Sequence, residues 1–261
     1  MIDKWLTKII DFIFPHQESF DGNERTFWNN HWNEMIEYYK KHDEIFEIND
    51  KWDFYCNKAL HNHYKSIVGS LEKLSCIECG CGGSYESTLM AKEGAKVTIL
   101  DYSEKALEYA KIVSQRVGVL DKVGFICEDI FNFTQRSKYG LAWNCGVTEH
   151  YQNDEIIKII KKMMLFCEKD GLIVITIPNL LSPQSIYLML KDGKGSEKYL
   201  SHRKLKVLMK KAGLKNVQIK NLNYWLPSFL PYSWAIKTSK YKILNNLKCL
   251  TWLFSGVGVV N

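Results

Sequence analysis

The chain has 261 residues, a formal net charge of +6 and 46% hydrophobic residues. These values are ordinary for a globular protein, and the length allows one α/β domain with modest additions. No block of lysine and arginine is dense enough to indicate a nucleic-acid-binding arm. The mild positive charge therefore favours a solvated lysine-rich surface over a site for a polyanion.

The first residues are amphipathic, with apolar side chains alternating with lysine and aspartate over 2–14 and Pro15 ending the segment. The segment is too short to span a bilayer. It could lie on a membrane surface or pack on its own domain, and packing is the preferred interpretation. No secretory signal is visible, and the chain has eight cysteines. Both features lead us to expect a reducing, cytoplasmic location.

Residues 24–70 read as two helices that are rich in aromatic side chains. Trp28 and Trp32 lie four positions apart, so they share one helical face. They are candidates for a substrate pocket, and the alternative is that these aromatic residues are core between helices.

From about residue 75 the pattern alternates between strand and helix, which predicts a parallel sheet covered by helices on both faces. Strands are expected near 75–79, 96–101, 123–128, 139–145 and 172–177, with a sixth around Val217 and Ile219. Helices are expected near 85–94, from Ser103 to Gly118, over 153–169 and from Ser201 to Gly213. After these elements, the pattern predicts a helix near 239–255 and a short final strand over 256–261.

The most informative segment runs from Ile77 to Gly83 and is followed by a second strand that ends in Asp101. Glycine lets the backbone turn tightly and approach a ligand closely. A carboxylate at the end of the next strand can hold the two hydroxyls of a ribose. The segment therefore predicts a nucleoside-binding crevice at the carboxyl edge of the sheet.

Two details of the segment indicate which class of nucleoside cofactor it would bind. The dinucleotide fingerprint needs a third glycine, and Tyr85 occupies that position. Glu78 precedes the glycines, so Glu78–Gly82 resembles the first motif of class I S-adenosylmethionine-dependent methyltransferases, which is acid-x-Gly-x-Gly. The run Asp101–Lys111 resembles the second motif of that family over eleven positions. The resemblance covers roughly residues 70–223.

This resemblance implies a fold and a domain organisation. The expected fold is an α/β, Rossmann-like, doubly wound and mostly parallel sheet of seven strands, with the last strand antiparallel and extra N-terminal helices. Residues 1–70 would form a helical cap, and 71–223 the S-adenosylmethionine-binding domain with an insertion at 180–200. Residues 224–261 would form an aromatic-rich C-terminal extension.

The resemblance also implies roles for particular residues. The backbone of the Gly80–Gly82 loop, including Cys81, would cradle the methionine part of S-adenosylmethionine, and Glu78 would hold its amino end. Asp101 would bind the ribose, with Tyr102 against the adenine. The adenine would also contact Asp129 and Ile130, although an aspartate after a strand could simply start a turn.

A further segment, Asn144–Tyr151, follows the fourth strand and resembles the part of the family that borders the transferable methyl group. Asn144, Cys145 and Gly146 would contact the cofactor, and Tyr151 would line the substrate pocket. His150 is a candidate general base because imidazole titrates near neutral pH, and a structural role is its alternative.

No metal site is predicted. Some relatives bind magnesium through a glutamate three residues before the Glu-His pair, and Gly146 stands at that position. Cys76, Cys79 and Cys81 lie on a strand and its exit turn, where side chains alternate between faces and do not converge on one ion.

The preferred hypothesis is a methyltransferase for a small-molecule acceptor. A lipid or membrane-associated acceptor and a non-catalytic cofactor-binding protein are the alternatives. Nucleic-acid amino-methylation is disfavoured because Asn144–Val147 lacks the two prolines and the aromatic residue of those enzymes. A dehydrogenase is disfavoured by Tyr85 and Glu78. The sequence leaves the acceptor atom and the oligomeric state open.

Overall fold

A seven-stranded sheet organises the computed structural model, which describes residues 24–41, 58–134, 138–192, 197–198, 200–224 and 251–261. The strands are β1 (Ser75–Cys79), β2 (Lys96–Asp101), β3 (Val123–Cys127), β4 (Tyr139–Cys145), β5 (Cys167–Pro178), β6 (Lys215–Tyr224) and β7 (Thr251–Val259). The helices are α1 (Glu24–Lys41), α2 (Lys58–Val68), α3 (Tyr85–Lys92), α4 (Glu104–Val117), α5 (Asn153–Phe166), α6 (Pro183–Asp192) and α7 (His202–Ala212). Short 3-10 turns cover Leu120–Lys122 and Thr148–His150.

The strands are ordered β3-β2-β1-β4-β5-β7-β6. β1 to β5 pair in parallel, and β7 lies between β5 and β6 and is antiparallel to both. This arrangement confirms the predicted fold class. The order reverses direction at β1, which has β2 on one side and β4 on the other, so the chain leaves a crevice at the carboxyl end of β1.

Local sequence signals explain several helix ends. The Ser103 hydroxyl accepts a hydrogen bond from the Ala106 amide at 3.1 Å and so caps α4. Gly118 ends that helix in the left-handed conformation, at φ 74°. Ser201 caps α7 in the same way, by accepting from the Lys204 amide. These ends agree with the sequence prediction.

Alternating side chains divide the core between the two faces of the sheet. One face, packed against α2, α3 and α4, buries Cys76, Ile99 and Trp143. The other face, packed against α5 and α7, buries Ile77 and Ile175. Because both faces are covered, most side chains of the central strands β1 and β4 are buried.

Two element boundaries differ from the prediction. The helix predicted over 153–169 ends at Phe166, and Cys167 already pairs with Tyr139 of β4. Asp170, at φ 62°, then turns the strand within β5. The sequence pattern read as helical to 169 because Cys167 continues the apolar face of α5, but tertiary pairing determines the structure there.

The prediction of a helix reaching residue 255 was wrong for 251–255, and the final strand is longer than predicted. Thr251–Val259 forms β7, which is hydrogen-bonded to β5 on one side and to β6 on the other. The Phe254 ring is fully buried and stacks on His202 with centroids 4.0 Å apart. Pairing on both edges overrides local helical preference. The rest of the predicted helix, and the amphipathic segment 2–14, lie outside the described residues.

The helix α1 is tied directly to the loop after β2. The Asn29 side-chain oxygen accepts from the Ser103 hydroxyl at 2.7 Å, and Trp32 packs on Tyr109 of α4. α1 therefore covers the crevice at the carboxyl edge. None of the helices in the described ranges is long and apolar enough to cross a bilayer.

The packing of β7 can be tested at Gly258. A Cβ at this position would lie 2.9 Å from the Leu214 Cβ, which is close to backbone and cannot easily move. We expect Gly258→Ala to lower the free energy of unfolding by about 1–3 kcal/mol through overpacking, measured by urea denaturation.

Gly124→Ala on β3 is the matched control, since a Cβ there makes only contacts of 3.9 Å. Its free energy of unfolding should be unchanged or slightly higher. Equal losses in both variants would contradict the tight packing of β7 against Leu214.

Candidate functional site

The glycine loop after β1 is built for close backbone approach. Gly80 and Gly82 have φ values of +81° and +44°, in the left-handed region that favours glycine. A Cβ on Gly80 would lie 2.5 Å from a methyl carbon of Val147, and one on Gly82 would lie 3.8 Å from the Trp32 ring. Side chains are therefore excluded from the cradle at Gly80, and the loop presents backbone to the crevice.

Asp101 links this loop to the loop after β2. Its Oδ2 accepts from the Cys81 amide at 2.9 Å, and its Oδ1 accepts from the Ser103 amide at 2.8 Å. Burial raises the pKa of the Asp101 carboxyl, and the hydrogen bonds from Ser103 and Cys81 oppose that rise. Each carboxylate oxygen has a second lone pair, so the group can still accept from a ligand hydroxyl.

Glu78 is buried at the end of β1 and is held from two sides. It accepts hydrogen bonds from the Ser87 hydroxyl and from the Trp143 indole nitrogen, the latter at 3.1 Å. Burial, followed by the nearby Glu86 carboxylate, raises the pKa of Glu78 well above its usual range. The side chain is thus fixed in one orientation at the wall of the crevice.

Two adjoining cavities occupy the crevice, with volumes of about 500 Å³ and about 100 Å³. Both are lined by the same middle group, which consists of Trp28, Trp32, Gly82, Cys145, Gly146 and His150. Asp101 and Tyr102 line the smaller cavity, and Glu78 and Cys81 line the larger one. Together they form one elongated site that runs from the end of β2 across β1 to β4 and β5.

His150 lies at the junction of the two cavities, in the 3-10 turn after β4. Its ring packs edge-on against Trp28, with centroids 6.2 Å apart. Burial lowers the pKa of His150 to about 4. The imidazole is therefore neutral at pH 7, and the same burial makes it a weaker base than an ordinary histidine.

The structure brings most of the predicted site residues together. The two cavities are lined by Trp28, Trp32, Glu78, Gly80, Cys81, Gly82, Asp101, Tyr102, Cys145, Gly146, His150 and Tyr151. Three predicted residues line neither cavity. The Asp129 carboxylate accepts from the Phe131 amide within its own turn, Ile130 packs against the core, and the Asn144 amide points to Met163.

Sequence reasoning missed part of the wall of the larger cavity. Glu86, Glu149 and Glu197 contribute carboxyl groups. Apolar or small side chains come from three separate elements and comprise Leu60 of α2, Ser185, Leu188 and Met189 of α6, and Leu253 of β7. The predicted insertion at 180–200 contains the α6 group, but only its general position could be inferred from the sequence.

The described part of the chain contains no group of three or more histidine, cysteine, aspartate or glutamate side chains arranged to hold a metal ion. The described cysteines are free thiols, and Cys76, Cys79 and Cys81 are buried. The absence of a catalytic metal stays a prediction.

Curated relatives and solved structures are similar to this chain in sequence or fold. It is 45% identical over 56 residues to the ubiquinone biosynthesis O-methyltransferase of Nitrosomonas europaea, covering 22% of this chain and 24% of that protein. It is 22% identical over 180 residues to the protein of that name from Rickettsia canadensis, covering 65% and 73%. The other curated relatives are matched over less than half of their length.

Among solved structures, magnesium protoporphyrin IX methyltransferase from Synechocystis PCC 6803 superposes with a TM-score of 0.60 at 14% identity, covering 92% of this chain and all of that one. A methyltransferase from Archaeoglobus fulgidus superposes with a TM-score of 0.54 at 13% identity, covering 78% and 94%. At these identities the likeness concerns the fold.

The model of the methyltransferase domain family matches residues 70–226, which is more than half of the chain and includes the glycine loop, Asp101 and His150. The family predicted from the motifs is thereby confirmed, and this chain belongs to the methyltransferase domain family.

Proposed function

We propose that this chain is an S-adenosylmethionine-dependent methyltransferase that acts on a small-molecule acceptor. One observation carries the proposal: the Asp101 carboxylate, which lines the smaller cavity, holds the glycine loop through the amide of Cys81, and Cys81 lines the adjoining cavity of about 500 Å³. In this arrangement Asp101 would bind the ribose beside a backbone cradle, and the larger cavity would have room for a second molecule.

The residues present fit the cofactor. Gly80 and Gly82 keep the cradle clear of side chains, so a methionine moiety can approach the backbone. Asp101 has accepting lone pairs for two ribose hydroxyls, and Tyr102 lines the same small cavity. Glu78, on the wall of the larger cavity, would hold the amino end of the cofactor.

When bound, S-adenosylmethionine supplies a methyl group activated by its sulfonium. The remaining work of the protein is to align the acceptor with that group and to exclude water. Trp28 and Trp32 cover the site from α1, and Leu188, Met189 and Leu253 close it from the opposite side. Neutral His150 lies at the junction of the cavities, where it would accept a proton from the acceptor.

Several finer assignments are part of the same proposal. Asp129 and Ile130 would contact adenine only if their turn closes on the bound cofactor, and Asn144 would act through its backbone. Buried free thiols are consistent with a reducing cytoplasm as the location. The charge pattern favours a small molecule over nucleic acid as the partner.

A membrane-associated acceptor is the second candidate, and exposed apolar side chains of α6 favour it. Ile186 is 39% exposed and Leu190 is 71% exposed, on a helix whose other face lines the larger cavity. Such side chains beside a cavity could dock on a lipid surface and receive the acceptor from it.

The cofactor site predicts the effect of Asp101→Ala. The variant removes the acceptor of the ribose hydroxyls, so its affinity for S-adenosylhomocysteine should fall by about 100-fold or more, measured by calorimetry. Circular dichroism and thermal unfolding should show that the fold is retained. Asp121→Ala, in the exposed 3-10 turn, is the control and should bind normally; unchanged affinity in Asp101→Ala would refute the site.

The position of His150 predicts that replacing this residue slows turnover but does not weaken cofactor binding. With an acceptor identified by screening phenols and amines for S-adenosylhomocysteine release, His150→Ala should lower kcat by about 100-fold. Cofactor affinity should change by no more than about threefold, because the ribose and methionine contacts remain. His61→Ala is the control, since His61 pairs with Glu93 outside the site. Turnover equal to wild type would leave His150 a structural role alone.

The membrane candidate predicts that Leu190→Ser reduces co-sedimentation with phosphatidylcholine–phosphatidylglycerol vesicles, because α6 then loses its most exposed apolar side chain. Leu165→Ser is the control, since Leu165 is 64% exposed on α5. Removal of residues 1–15 is tested in parallel. If neither Leu190→Ser nor the truncation changes the bound fraction, the membrane candidate is discarded.

A further inference from the structure

The larger cavity is lined by acidic side chains, although the chain as a whole is basic. Four carboxyl groups line it, from Glu78, Glu86, Glu149 and Glu197. No lysine or arginine belongs to the described residues that line it. The chain as a whole has a net charge of +6. The lining of this cavity therefore differs in composition from the basic chain as a whole.

Glu149 has one carboxyl oxygen in this wall, Oε2, that lacks a hydrogen-bond partner among the described residues. Glu149 is only 2% exposed. Burial, followed by the neighbouring Glu197, raises the pKa of Glu149 well above its usual range. An unsatisfied buried carboxyl is costly, so a ligand that donates to it would be bound strongly.

Glu78 differs from Glu149 in this respect. Its two oxygens already accept from Ser87 and Trp143. It also belongs to β1, one residue before that strand ends at Cys79, whereas Glu149 lies in the turn after β4. Glu78 is therefore satisfied within the protein, whereas Glu149 has an oxygen, Oε2, that can accept from a second ligand.

Aromatic rings also line the larger cavity and make it suitable for binding a cation. Trp28 and His31 pack edge-on with centroids 5.8 Å apart, and His31 and Trp32 do so at 5.0 Å. All three line the larger cavity. Indole faces attract alkylammonium groups, and the attraction adds to that of a carboxylate. Burial lowers the pKa of His31, so this ring does not add a competing positive charge at neutral pH.

We infer that the acceptor of this enzyme bears an ammonium group, which is bound by Glu149 in the larger cavity. Leu60, Leu188 and Met189 provide an apolar wall for the rest of that molecule. The inference rests on the proposed function, since it names the substrate class of the same site.

The test uses the full chain saturated with S-adenosylhomocysteine, in buffer with EDTA so that a divalent cation cannot occupy the acidic cavity. Three probes of similar shape are titrated by calorimetry: phenethylamine, 2-phenylethanol and 3-phenylpropionate. The amine should bind about tenfold more tightly than the alcohol or more, because a charged hydrogen bond is added. The carboxylate should not bind.

Glu149→Gln should remove the preference for the amine and leave the affinity for S-adenosylhomocysteine within about threefold of wild type. Glu72→Gln, an exposed glutamate outside the cavity, is the control for the change in net charge and should behave as wild type. If Glu149→Gln does not fold, the affinities of the wild-type protein for phenethylamine and 2-phenylethanol still test whether the cavity prefers an ammonium group.

Equal binding of the amine and the alcohol would overturn the inference while leaving the proposed function intact. An equal loss of S-adenosylhomocysteine and amine affinity in Glu149→Gln would also overturn it, because Glu149 would then serve the amino group of the cofactor. Failure of S-adenosylhomocysteine to bind the wild-type protein would overturn the proposed function and this inference together.

Discussion

The carboxylate of Asp101 is the interaction on which the candidate site depends. It accepts from the Cys81 amide in the loop after β1 and from the Ser103 amide in the loop after β2. These two hydrogen bonds fix the glycine loop against the neighbouring strand. Ser103 also connects this arrangement to α1, because its hydroxyl donates a hydrogen bond to Asn29 of that helix. A single buried acid thus couples the cradle, the ribose position and the helix that covers them.

The site combines two electrostatic environments along one crevice. At the end near β2, a buried acid is stabilised by backbone amides, as suits a neutral ribose. Across β1 toward β4 and β5, acids accumulate, and Glu149 has no partner for Oε2. A carboxyl buried without a partner is destabilising in the free protein. Such a cost is most readily explained where a ligand relieves it, and functional sites are where perturbed carboxyl groups concentrate.

The closing wall of the cavity depends on elements that are distant in sequence. Leu60 comes from α2, Met189 from α6 and Leu253 from β7. β7 reaches this position because it is inserted between β5 and β6, and Gly258 lets it pass close to Leu214. Acceptor selection would therefore depend on the C-terminal strand as well as on the insertion at 180–200.

The glycine loop and Asp101, which form the proposed cofactor half of the site, were predictable from sequence because their signals are local: glycines where φ is positive, and an acid at the end of a strand. The same applies to β2, β4 and the helix caps at Ser103 and Ser201. The extent of β7 and the end of α5 were decided by strand pairing, which local periodicity does not encode. Only the tertiary structure brought Glu149 beside Glu197, because these carboxyl groups come from separate loops and their proximity depends on how the chain folds over the sheet.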